Sequence, residues 1–225
     1  MQETFSNSEI KNSAKIALTG NYTRSGLLLL FYFMLTSMLQ RYLNFHPLLS
    51  VLPMILSNML LFGIYLFFLK LSLDQEASPF DLFFAFQDSP KKTLCIACLY
   101  TAFTGILELP ANILLNAFFL QKTLSDETLK LLLGLQIALL VIWYLVRLNL
   151  SLVYYLLLDF PELTIKEILL LSIRKMRGQK LRLFLLELSF LPIFLLVIPT
   201  MGIGLLWIMP YFYTARSKFY LNLVH

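Results

Sequence analysis

Six long apolar runs, separated by short polar stretches, leave this chain few ways to fold. They cover residues 25–42, 48–71, 93–119, 131–158, 183–198 and 203–220. A helix needs about 20 mostly apolar residues to cross the hydrocarbon layer of a membrane, and the runs approach or exceed that length. The chain therefore reads as an all-α polytopic membrane protein with six transmembrane helices. Its 225 residues are 59% hydrophobic and only 14% charged, whereas a soluble domain carries about 25% charged residues.

The distribution of Lys and Arg orients the spans. The stretch Asp159–Arg182 holds Lys166, Arg174, Lys175, Arg177, Lys180 and Arg182, six of the eighteen basic residues. Basic clusters stay on the cytoplasmic side. With both termini inside, the inner segments also hold Lys11, Lys15, Arg24, Lys70, Lys91, Lys92, Arg216 and Lys218, which makes fourteen, against Arg41, Lys122 and Lys130 outside. The eighteenth, Arg147, falls within a span. A net charge of +5 built from residues at the ends of apolar runs argues against nucleic acid as a partner. The counter-charge expected is the anionic headgroups of the cytoplasmic leaflet.

Residues 1–24 form a polar N-terminal segment ahead of a single membrane domain, 25–225. Ser6 and Glu9 have capping-box spacing, and Ile10, Ala14, Ala17 and Leu18 follow at helical intervals. That pattern predicts an amphipathic helix on the membrane surface, or else a solvated tail, ending near Gly20-Asn21. No cleavable signal is apparent, and Gln2 excludes the myristoylation pattern. In the 72–92 loop, Phe80, Phe83, Phe84 and Phe86 read either as a short interfacial helix or as a turn packed on neighbouring spans.

The connector 159–182 carries a second capping box, Thr164 with Glu167. An apolar face of Ile165, Ile168, Leu169, Ser172 and Met176 follows, and Gly178 is placed to end the helix. This is a basic amphipathic helix in the plane of the inner leaflet.

Ionisable residues at membrane depth require partners. Arg147 lies twelve residues from Asp159, about 18 Å of helix, and Glu108 lies sixteen from Lys92, about 24 Å. Similar depth makes Glu108 and Arg147 the natural pair. Glu187 either reaches the interface or joins them. Asn112, Asn149 and the carbonyl freed by Pro110 complete a candidate polar cluster, which is either a functional site or an ion pair locking helices together.

Cys95 and Cys98 have redox spacing but sit in an apolar helix, where small packing residues are expected. His46 has no neighbouring ligand. The chain contains no HExxH, GxSxG or phosphate-binding glycine loop. Neither enzyme activity nor a cofactor or metal is expected.

Several residues resemble a bacterial family. They are Asp159, Pro161-Glu162-Leu163, Ser172, Met176-Arg177-Gly178, Leu188-Ser189-Phe190, Gly202-Ile203-Gly204, Trp207, Pro210-Tyr211, Ala215 and Phe219-Tyr220, with Leu18, Gly20, Asn21 and Tyr22 near the start. The pattern is similar to the integral membrane proteins of Gram-positive bacteria grouped as domain of unknown function nine-seven-five. Pro192 departs from it, because the family often has Trp shortly after the Ser-Phe pair. The resemblance implies a multi-pass, all-helical plasma-membrane protein and brings no assigned site residues.

Taken with the small loops, these features lead to the expectation of a non-enzymatic accessory or binding protein, with a role in envelope homeostasis or immunity and a possible membrane-protein partner. The alternative is a small transporter or channel-like subunit using Glu108 and Arg147.

Overall fold

A computed structural model describes residues 5–43, 51–88, 90–119 and 125–224, the side chains of 107–109 and 114–119 excepted. All regular structure among them is helical. Three segments are long and apolar enough to cross a membrane: α2 (Tyr22–Leu43), α3 (Val51–Ser72) and the continuous stretch Asp126–Asp159. The last comprises α6 (Asp126–Asn149) and α7 (Val153–Asp159).

The centre of the bundle is α3. Its second half, from Met59 to Ser72, is buried at nearly every position. It packs against α2, α5 (Pro90–Phe119), α7 and α11 (Leu205–Val224). Tyr65 and Phe68 meet Tyr213, and further along Lys218 Nζ donates to the Ser72 carbonyl at 2.7 Å, so α3 and α11 run in the same direction. Lys218 thereby neutralises the negative end of α3.

The capping box at Ser6 and Glu9 starts α1 (Asn7–Leu18), and Gly20, at φ +82°, turns the chain after it. The predicted face of Ile10, Ala14, Ala17 and Leu18 is buried. It does not face a membrane surface: α1 lies antiparallel along α11. Arg182 bonds both the Phe5 carbonyl and Asn222 at one end, and Lys15 sits over the Tyr211 ring at the other. The apolar stripe that predicted lipid contact is satisfied by protein.

The 72–92 loop combines both readings. A 3-10 turn (Pro79–Phe83) and α4 (Phe84–Gln87) bury Leu82 and Ala85, and Phe84 stacks on Phe62, while Phe80 is 80% exposed. Asp81 caps the turn from Ser78 and pairs with Lys70 at 2.7 Å. Gly63 makes this docking possible, because a methyl there would overlap the Leu82 and Asp81 backbone.

Two predicted spans are broken. Between α6 and α7 the helix stops at Leu150–Leu152, and side chains bond carbonyls at the break, Leu150 O also accepting from Val153 N. Ser172 Oγ donates to Asn149 O at 2.7 Å, and Tyr100 OH donates to Leu150 O at 3.1 Å. Buried carbonyls need such partners. The stretch 183–198 is not one helix. It consists of α9 (Lys180–Leu188), α10 (Leu191–Phe194) and a 3-10 turn, Leu195–Val197. Pro192 has no N–H to donate to the Leu188 carbonyl, which interrupts the ladder there.

Cys95 and Cys98 are exposed. They do not pack in the core, because the buried stripe of α5 is Thr93, Ile96, Ala97 and Thr101, on the opposite face. His46 lies outside the described residues.

Candidate functional site

The membrane-depth charges converge on Glu187. Arg147 grips it with two parallel bonds, Nη1 to Oε2 at 2.8 Å and Nη2 to Oε1 at 3.1 Å. Tyr144, one turn before Arg147 on α6, donates its hydroxyl to Oε2 at 3.0 Å. Arg216 of α11 approaches Oε1 with Nε at 3.6 Å and donates Nη1 to the Tyr65 hydroxyl at 2.9 Å. Aromatic faces complete the coverage: Arg147 lies against Trp143 and Tyr144, Arg216 against Tyr65 and Phe212. A planar guanidinium suits both roles, since it binds a carboxylate bidentately and stacks on rings.

Burial grades across the cluster. The side chain of Arg216 is 7% exposed, that of Glu187 10%, and that of Arg147 23%. One carboxylate thus serves two guanidiniums, and Glu187 joins α6, α9 and α11. Chemically the arrangement is a tie: each ion pair neutralises a charge that would be costly alone at low dielectric.

The five candidates are placed differently. Arg147 and Glu187 are brought together. Arg147 finds its carboxylate on α9, and the side chain of Glu108 lies outside the described residues. Asn112 is exposed on α5. Asn149 turns its amide back to Leu145 O at 2.7 Å, and it is its backbone carbonyl that joins α8 (Ile165–Lys175) through Ser172.

Arg216 was expected among the cytoplasmic charges. It is buried, because α11 continues to Val224 and places Arg216 within the helix. The available signal was its position inside the apolar run 203–220. Tyr144, three residues before Arg147, was a second.

The six candidate headgroup contacts divide. Lys166, Arg174 and Arg177 are exposed and Lys180 is half-buried. Lys175 and Arg182 are turned inward: Lys175 Nζ reaches Leu223 O at 3.4 Å, and Arg182 bonds Phe5 O and Asn222 and lies over the Phe219 ring. A C-terminal carbonyl of α11 draws Lys175 in, and the Asn222 side-chain oxygen with the Phe5 carbonyl holds Arg182. Lys92 likewise bonds the Pro161 and Leu163 carbonyls. Much of the basic end of the molecule is therefore internal wiring.

Against the cluster lies a crevice of about 250 Å³ between α5, α6 and α8, lined by Leu99, Phe103, Trp143, Val146, Arg147 and Ile173 among others. Among the described residues no group of three or more His, Cys, Asp or Glu is placed to hold a metal.

No curated protein matches the chain, and no solved structure does. A family model matches it from residue 1 to residue 225, so the chain belongs to the family described as "Protein of unknown function (DUF975)".

Proposed function

We propose that this chain is a non-enzymatic accessory or binding protein of the bacterial plasma membrane, its six predicted runs inserted with both termini in the cytoplasm. The observation that carries the reading is the contrast between its apolar helices. In α3, 56% of the most apolar window is buried by the rest of the chain; in Asp126–Asp159 none of it is. Leu131, Ile137 and Val141 stand 72%, 63% and 54% exposed. A long helix with so little self-packing presents a surface to lipid and to a neighbouring membrane helix.

Two further features support the placement. The ends of α3 and α11, the start of α5 and the connector after α7 are bonded to one another through Lys218, Lys92 and Lys175. These elements carry most of the basic residues, in keeping with a cytoplasmic end. On α8, exposed Leu170 and Ile173 share a face with Lys166 and Arg174, and exposed Arg177 follows in the next turn, a combination suited to anionic headgroups over acyl chains.

The test is purification in mild detergent from the native host, followed by mass determination of the intact assembly. A second protein in fixed stoichiometry is the expected result. A homogeneous species of this chain alone that moves a solute with saturable kinetics would refute the reading.

A transporter or channel-like role is the second reading. What favours it is that both helix interruptions flank the charge cluster, Leu150–Leu152 beside Arg147 and Ser189-Phe190 beside Glu187. Broken helices around buried charges are a feature of transporter sites. Solute flux in liposomes that disappears in Arg147→Gln while its thermal midpoint is kept would establish this role, and flux absent from the wild type would dismiss it.

A further inference from the structure

We infer that the crevice beside Arg147 binds a single-chain alkyl carboxylate, its head on the Arg147 guanidinium and its chain along Leu99, Phe103 and Trp143. Charge and shape point to this occupant independently. Among the described residues, the ion pairs of the cluster set two guanidiniums against one carboxylate, and the most exposed member, Arg147, is the one that lines the crevice. Its fork has five N–H donors, of which two are bonded to Glu187, so donors remain for a second anion. Every other side chain around the cavity is aliphatic or aromatic, including Tyr100, whose hydroxyl is taken up by the Leu150 carbonyl.

The volume, about 250 Å³, falls below the usual range for drug-sized ligands and takes the head-proximal part of one alkyl chain. Leu169 and Ile173 of α8 form part of the wall. A bound chain would therefore touch the helix whose outer face carries Lys166 and Arg174. The inference goes beyond the accessory reading and does not depend on a protein partner, because the crevice and the exposed positions Leu131, Ile137 and Val141 are different surfaces.

The experiment measures binding of tritiated palmitate and of hexadecanol to the purified full-length protein in mild detergent. The two probes differ in the carboxylate alone. Saturable binding of one palmitate per chain is expected, with hexadecanol about tenfold weaker or worse, the effect of losing a charge-assisted hydrogen bond. Arg147→Gln should lose a similar factor. Leu99→Trp fills the crevice from its exposed rim and leaves Arg147 in place. It should abolish palmitate binding with an unchanged thermal midpoint, which separates loss of the site from loss of the fold.

Equal affinity for the two probes would overturn the inference, as would palmitate binding indifferent to both substitutions. So would a wild type that binds no palmitate until Glu108→Gln is introduced, since Glu108 would then be the second carboxylate of the cluster.

Discussion

At the scale of single residues, the account rests on Glu187 and Gly63. Glu187 is the carboxylate shared by Arg147 and Arg216, and removing one partner of a buried pair leaves an uncompensated charge. Glu187→Gln should lower stability by about 3 kcal/mol, read as the midpoint of thermal unfolding in detergent. Arg147→Gln should do less harm, because Glu187 keeps Arg216 and the Arg147 side chain is 23% exposed. Equal, small effects of the two substitutions would mean that the tie holds nothing together. Gly63→Ala places a methyl against the Leu82 and Asp81 backbone, which cannot move aside as a side-chain tip can. A loss of about 1–3 kcal/mol is expected. Increased proteolysis in the 79–87 segment would locate the damage.

Among the elements, local signals in the sequence were reliable wherever a backbone group had to be satisfied nearby. Both capping boxes formed as their spacing predicts, and Gly20 and Gly178 adopt positive φ at the helix ends. The apolar stripe of α1 was also read correctly, but the sequence could not tell what covers it, since lipid and the face of α11 satisfy the same stripe. Partner choice was the second obscure quantity. Depth along the chain made Glu108 the natural counterpart of Arg147, while the break at Leu150–Leu152 and the short α9 bring Glu187 there. The first interruption leaves no composition signal at 150–152, and only Pro192 announced the second.

The capping boxes also give the elements a pH response. Hydrogen bonds from Thr164, and from Ser6 in α1, hold the carboxyls of Glu167 and Glu9 below the usual glutamate range. A group lowered on folding contributes stability above its unfolded pKa and loses it as the pH falls through the folded value. Protection of the first-turn amides of α8, taken relative to the intrinsic exchange rate at each pH, should therefore fall on acidification below the glutamate range and stay flat at neutral pH. Glu167→Gln should flatten the profile. Loss of protection at neutral pH would point to another group.

For the whole molecule, the helical class and the membrane-crossing character of α2, α3 and Asp126–Asp159 follow from apolar length alone. The division of labour among the helices does not. Helix α3 and the stretch Asp126–Asp159 are about equally apolar, yet α3 is the buried centre, while Asp126–Asp159 is buried only from Leu148 onward and its most apolar stretch has no fully buried residue. Lipid and protein are equally apolar surroundings, so burial inside a membrane protein leaves little trace in composition. The exposed face of α6 is where the accessory reading is most vulnerable. The most direct measurement is a photo-crosslinking scan in the native host, with a crosslinking amino acid placed in turn at Leu131, Ile137 and Val141 of α6 and, as a buried control, at Phe67 of α3. The account predicts one discrete protein adduct from the α6 positions and none from Phe67. Adducts to lipid alone at all three α6 positions would contradict it.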